Sequence, residues 1–202
     1  MKKSAFTLIE LLVVISIIAI LASLAVPALN KSLENGKAAS CAANVRQLAT
    51  GAIGFLNDND DQMFPAAGSW PTTLHDKYVR DWRAYRSPFD KRPASEQANA
   101  PVSYGVNLNL LDQLAAKFGS PSQLIMLAAA PNQAGDLRFD GNGAGNPTVS
   151  STGDAQSGTH NNRRMINVAF ADGHASAMSM VQYTDSGGLE GQRRWFPEGV
   201  TP

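Results

Sequence analysis

The sequence predicts an α+β protein: a long N-terminal helix, transmembrane in its first half, packed on a small antiparallel β-sheet head. Three observations predict it. An apolar run from Phe6 to Leu29 is long enough to cross a bilayer. An apolar stripe then continues at helical spacing to Leu56, and short apolar stretches separated by turn residues follow after residue 101.

The first half of the helix rests on length. At about 1.5 Å per residue, the run from Phe6 to Leu29 reaches roughly 36 Å, against about 30 Å of hydrocarbon. A secretory signal has a shorter apolar region with a cleavage site beyond it, so that class does not fit. One carboxylate, Glu10, interrupts the run. Such a group costs about 2.5–3.5 kcal/mol at a membrane helix centre, so it is usually kept for a partner. A hydrated carboxylate near the helix end is the plainer alternative.

The second half rests on periodicity. Leu29, Leu33, Cys41, Val45, Leu48, Ala52 and Leu56 recur at multiples close to one helical turn, with polar residues between. Pro27 lacks the N–H that would bond back to Ser23, which predicts a kink or local melting there. Gly36, Gly51 and Gly54 each weaken the helix by up to about 1 kcal/mol relative to alanine. Asn57 to Asp61, all Asn and Asp, end it.

Residues 62–101 are broken by prolines, with a short helix expected within 70–82. VSYGV at 102–106 reads as a strand. NLNLLDQLAAKF at 107–118 has helical spacing and is expected to be a helix closed by Gly119 and Pro121. QLIMLAAA at 123–130 reads as a buried strand, although periodicity alone leaves a short helix open. Residues 136–159 are expected to be mostly loop. INVAFADGHASAMSM at 166–180 predicts a β-hairpin, with Asp172-Gly173 as a two-residue turn.

Composition narrows the class. The chain has 202 residues, 44% of them hydrophobic, and 17 basic residues against 17 acidic ones. After the membrane run there is room for one modest domain. No block of like charge offers a nucleic-acid footprint, so no nucleic acid is indicated as a partner. Lys2 and Lys3 precede the run and predict a cytoplasmic amino end with an exported head. A single cysteine, Cys41, leaves no intrachain disulfide for that oxidising compartment.

The string FTLIE directly after Ala5, at the head of the apolar run, resembles the class III leader of type IV prepilins and type II secretion pseudopilins. The resemblance implies a pilin-like fold and cleavage between Ala5 and Phe6 by a membrane aspartyl prepilin peptidase, with N-methylation of Phe6. It also implies that Glu10 pairs with the amino terminus of a neighbouring subunit. CAANVRQLATGAIGFLNDNDDQMFP at 41–65, SYGVN at 103–107 and HNNRRMINVAFADGHA at 160–175 are similar to a large prepilin-like group. That group has a C-terminal element of a histidine, nine residues and Asp-Gly. Here eleven residues separate His160 from Asp172. Ser87, in RSPFD, stands where many members have Cys-Pro, which leaves Cys41 without a partner. Ala5 replaces the commoner glycine before the cut.

Two constellations carry chemistry. His160, Asp172 and His174 hold metal-ligand types. Yet Asp172-Gly173 is ordinary turn chemistry, and His160 is read first as a hydrogen-bonding pin between loop and hairpin. DGNGAGN places Asp140, Asn142 and Asn146 as oxygen donors, which calcium favours. Major pseudopilins, by resemblance, often hold calcium in a C-terminal loop. A turn-rich surface loop explains the same residues without an ion, and no other cofactor is indicated. Cys41 reads as a small buried residue. Trp70, Trp82 and Trp195 are head anchors or subunit contacts.

The organisation expected is a leader at 1–5, a transmembrane half-helix at 6–29, an extracytoplasmic half-helix at 30–57 and a globular head at 58–202. The function expected is a structural subunit, not an enzyme, of a type II secretion pseudopilus or type IV pilus-like filament. Its expected partners are prepilin peptidase, other copies and minor pilins, an inner-membrane assembly platform and the lipid bilayer. The subunit is expected in a bacterial inner membrane, single-pass, before it joins the filament. Two other classes stay open. One is a membrane-anchored extracytoplasmic binding protein that does not polymerise. The other is a hydrolase built on His160, Asp172 and His174, for which no nucleophile stands out.

Overall fold

A computed structural model describes residues 7–91, 102–129, 137–139, 159–185 and 187–198. The chain divides into two compact units, Met1–Gly36 and Lys37–Pro202. Helix α1, Leu8–Asp58, contributes to both and is 51 residues long. It continues through Pro27 as unbroken helix.

In the first unit the large apolar side chains from Leu8 to Leu33 are all exposed. Among the described residues, α1 alone is long and apolar enough to cross a membrane. An exposed surface of this kind is stable only in lipid or against other apolar helices.

The second unit folds around the buried stripe of α1: Cys41, Val45, Leu48, Ala49, Ala52 and Leu56. Helical spacing puts these side chains on one face, and the sheet covers them. Strands β1 (Tyr104–Asn107), β2 (Ile125–Ala129), β4 (Met165–Phe170) and β5 (Ala175–Ser179) pair antiparallel in the order β1-β2-β4-β5. Strand β3 (Leu137–Phe139) adds to the outer side of β1 in parallel. The sheet is thus antiparallel with one parallel edge, and part of the segment expected to be loop is a strand.

β2 and β4 are buried almost throughout, because both faces of the sheet are covered. α1 packs on one face. Helices α3 (Met180–Thr184) and α4 (Gly188–Trp195) bring Met180, Tyr183 and Trp195 into the core. The Tyr183 and Trp195 rings meet edge to face at 5.0 Å. Asn107 ties this layer to the strands, its side-chain amide donating to the carbonyls of Ile125 and Trp195 at 2.8 and 3.0 Å. Trp70 on helix α2 (Trp70–Lys77) and Trp82, which opens the 3-10 turn Trp82–Tyr85, are also buried. All three tryptophans are core anchors.

Residues 107–118 are not an α-helix. They form two 3-10 turns, Leu108–Leu110 and Ala115–Lys117, separated by Asp112 at φ 58. Local and tertiary bonds claim the backbone first. The Asn107 side chain accepts from Asn109 N–H at 3.0 Å, Gln113 C=O accepts from Met63 N–H, and Ala115 N–H donates to Asp61 C=O. Leu108 and Leu114, two members of the apparent stripe, are exposed.

Candidate functional site

Thr7 caps α1. The Thr7 hydroxyl accepts from Glu10 N–H at 3.3 Å, while the Glu10 carboxylate accepts from Thr7 N–H at 2.9 Å and from the Thr7 hydroxyl at 2.8 Å. This reciprocal pair is a capping box, and it satisfies two amides that the first turn leaves open. The carboxylate also lies at the positive end of the helix dipole. Glu10 therefore has a local structural role besides any assembly role. Ala5 and Phe6, at the expected cut, lie outside the described residues, as do Asp140, Asn142 and Asn146 of the expected calcium loop.

The C-terminal constellation is split. His160 pairs with Met165 in an isolated bridge at the start of β4, its N–H donating to Met165 C=O at 3.3 Å and its C=O accepting from Met165 N–H at 3.1 Å. The main chain thus makes a tie of its own between the loop and the strand. The ring stacks near Phe89 with centroids 6.1 Å apart, and its Nδ1 lies 2.9 Å from Thr159 Oγ1. Asp172 and His174 sit past the other end of β4, whose six residues span roughly 20 Å. Among the described residues no group of three His, Cys, Asp or Glu side chains gathers as metal ligands. Asp172 and His174 do meet. His174 Nδ1 is 2.6 Å from Asp172 Oδ1, and its ring stacks on Phe170 at 4.3 Å.

The turn itself is longer than a two-residue hairpin. β4 and β5 are joined through residues 171–174. Gly173 N–H donates to Phe170 C=O and Phe170 N–H to His174 C=O, both at 2.9 Å. Only Gly173, at φ 90, takes a left-handed conformation; Asp172 does not. A turn followed by a left-handed glycine is the bulged form of the hairpin connection. Asp172 Oδ1 accepts from His174 N–H at 3.0 Å, which holds that form.

Cys41 is fully buried, and burial pushes its thiol pKa up, against the activation a nucleophile needs. An open groove of about 440 Å³ lies between α1 and residues 81–88, lined among others by Ser40, Asn44, Gln47, Trp82 and Arg83. Nothing in the sequence patterning marked it.

Comparison with known families adds one finding. Residues 1–26 match the family model for the prokaryotic N-terminal methylation motif. The chain thus opens with a motif typical of type IV prepilins and pseudopilins, on a helix of the length and apolarity that anchors a pilin-like protein in a membrane. The match does not extend to the C-terminal element. No curated protein and no solved structure matches the chain.

Proposed function

We propose that this protein is a structural subunit of a type II secretion pseudopilus or type IV pilus-like filament. Prepilin peptidase would cleave after Ala5 and methylate Phe6. The carrying observation is that the methylation motif heads a helix whose apolar side chains from Leu8 to Leu33 are all exposed. Packed among other copies, such helices form an apolar filament core, and the Glu10 carboxylate supplies the charge that sets one helix end against its neighbour. Lys2 and Lys3 orient the amino end to the cytoplasm on insertion and leave with the leader at cleavage. Intact mass of the membrane-extracted chain tests the processing step. A chain starting at Phe6 with one added methyl group supports it, and one retaining Met1 or starting near residue 26 overturns it.

A second reading, a membrane-anchored binding protein that does not polymerise, draws on the groove between α1 and residues 81–88. Its volume is in the range of small-molecule sites. The two readings part at assembly, because an anchor needs Glu10 only as a helix cap, which an uncharged glutamine can also make. Calcium at Asp140, Asn142 and Asn146 is compatible with either. Chelation would lower the melting temperature if the ion is held, through loss of ligand linkage.

A further inference from the structure

Among the described residues the head presents a basic turn at one end and an acidic turn at the other, and internal contacts assign the ends. The Asn167 side chain donates to Ala38 C=O at 2.8 Å, which sets the start of β4 beside the first turn of α1 within the head. Farther along, a Cβ on Gly173 would lie 2.6 Å from Ile53 Cδ1, so the far end of β4 lies beside the last turns of α1. Strand and helix therefore run in the same direction. The turn of residues 161–164, just before β4, occupies the end where α1 begins its head portion. The turn after α1, at 59–61, occupies the other. On a helix, Ala38 and Asp58 are roughly 30 Å apart.

The first end exposes Lys37, Arg163 and Arg164, and the second exposes Asp58, Asp60 and Asp61. Asp58 is already engaged within the head, 2.7 Å from Lys77 Nζ and 2.9 Å from the Tyr78 hydroxyl. Among the described residues, the side chains of Asp60, Asp61, Arg163 and Arg164 make no hydrogen bond or ion pair. Both turns are held by the main chain. Arg164 N–H donates to Asn161 C=O at 3.2 Å, and Arg164 C=O accepts from Met180 N–H at 2.8 Å. Asp61 N–H donates to Leu56 C=O at 2.9 Å, and Asp61 C=O accepts from Ala115 N–H at 2.7 Å. Fixed turns leave only the side chains to be ordered on contact.

We propose that successive copies of this chain meet end to end through these turns, Arg163 and Arg164 of one copy against Asp60 and Asp61 of the next. The inference rests on the filament reading and names its head contact. About 30 Å apart, the turns cannot neutralise each other within one head, whereas the same pair on consecutive copies can. The contact is heterologous and repeats without closing, as a filament requires. Its charges chiefly set register and partner choice.

The test uses the full-length chain in a cell that assembles it. With Asp61→Cys and Arg163→Cys together, oxidation should give a ladder of crosslinked multimers, and neither single variant should extend past dimers. Arg163→Glu with Arg164→Glu should lower the multimer fraction at least tenfold, and adding Asp60→Arg and Asp61→Arg should restore it to within threefold. Melting of each solubilised variant identifies a reversal that unfolds the head, and the cysteine pair then decides. Absence of the ladder from a chain that still assembles overturns the proposal and leaves the filament reading standing. Loss of assembly in a folded reversal that the reciprocal change does not rescue also overturns it. If that reversal also loses binding to vesicles containing phosphatidylglycerol, the basic turn serves a lipid surface instead. A wild-type chain that forms no multimer overturns both readings.

Discussion

The Ser87 hydroxyl oxygen lies 3.7 Å from the Cys41 sulfur, with both residues fully buried. The Tyr104 hydroxyl approaches the same sulfur at 3.7 Å, so the thiol sits in a small polar nest under the sheet. Burial raises the pKa of both the thiol and the Tyr104 phenol, so neither ionises readily in the folded head. The serine thus faces the cysteine at the position where the resemblance puts a second cysteine. Packing takes the place of a crosslink.

Ser87→Cys should therefore oxidise to a disulfide with Cys41. The two positions are 46 residues apart in sequence, and closing a loop of that order stabilises by about 2–4 kcal/mol. Thiol titration in denaturant should find no free thiol in the variant, and its unfolding midpoint should fall on reduction. Two titratable thiols in air-oxidised protein would show that the side chains do not meet at disulfide geometry.

Glu10 needs two substitutions to separate its roles. Glu10→Gln keeps an oxygen for the cap and removes the charge, whereas Glu10→Ala removes both. If assembly depends on the charge, both variants should insert in the membrane and both should assemble at a small fraction of the wild-type level. Thr7→Ala, which disrupts the cap and keeps the carboxylate, should assemble nearly normally, since an N-cap loss costs only about 1 kcal/mol. Quantifying sheared filaments for the three variants separates the cases. Wild-type yield from Glu10→Gln would leave the residue a cap and nothing more.

Much of this was legible before the fold was known, and the failures have physical causes. The long helix and the β4–β5 hairpin announce themselves through periodicity and an Asp-Gly pair, signals carried by local sequence. The segment 107–118 has equally good periodicity and is not a helix, because residues 61–63 claim its backbone bonds. No local pattern reports that competition. The Thr7–Glu10 cap was in plain view as Thr-x-x-Glu, yet the membrane context made the carboxylate look unpartnered. α3 opens on the same kind of cap, Ser179 and Gln182 forming a capping box. The proximity of Ser87 to Cys41 and the separation of His160 from Asp172 are tertiary facts. Sequence named the residues and could not measure between them.

Gly51→Ala should run against the usual helix trend. In an open helix this change stabilises by about 1 kcal/mol. Here a Cβ would meet Val79 Cγ2 at 2.7 Å and Tyr78 Cβ at 3.4 Å, so α2 and the segment after it sit directly on the glycine. Overpacking of that kind costs about 1–3 kcal/mol, which outweighs the propensity gain. Gly36, with nothing within 4 Å, is the control, and Gly36→Ala should stabilise. The hydrophobic core cluster begins at Cys41, so urea melts of a soluble fragment starting at Asn30 can compare the two. A stabilised Gly51→Ala fragment would show that Val79 yields easily.

Gly173 is constrained twice, and the two constraints can be separated. Its φ of 90 is a conformation that side chains resist, and a Cβ there would stand 2.6 Å from Ile53 Cδ1. Gly173→Val should destabilise the head by about 1–3 kcal/mol, the usual scale for strain at a special backbone position. Gly173→Ala should cost less, because the Cδ1 methyl is the mobile end of its side chain. Ile53→Val removes that methyl and should recover part of the Gly173→Ala loss while leaving the backbone term. A double-mutant cycle from denaturant melts measures the recovery. An interaction energy near zero would assign the whole effect to φ. A full recovery would assign it to the contact between the hairpin tip and α1, and the left-handed backbone would then be incidental to stability.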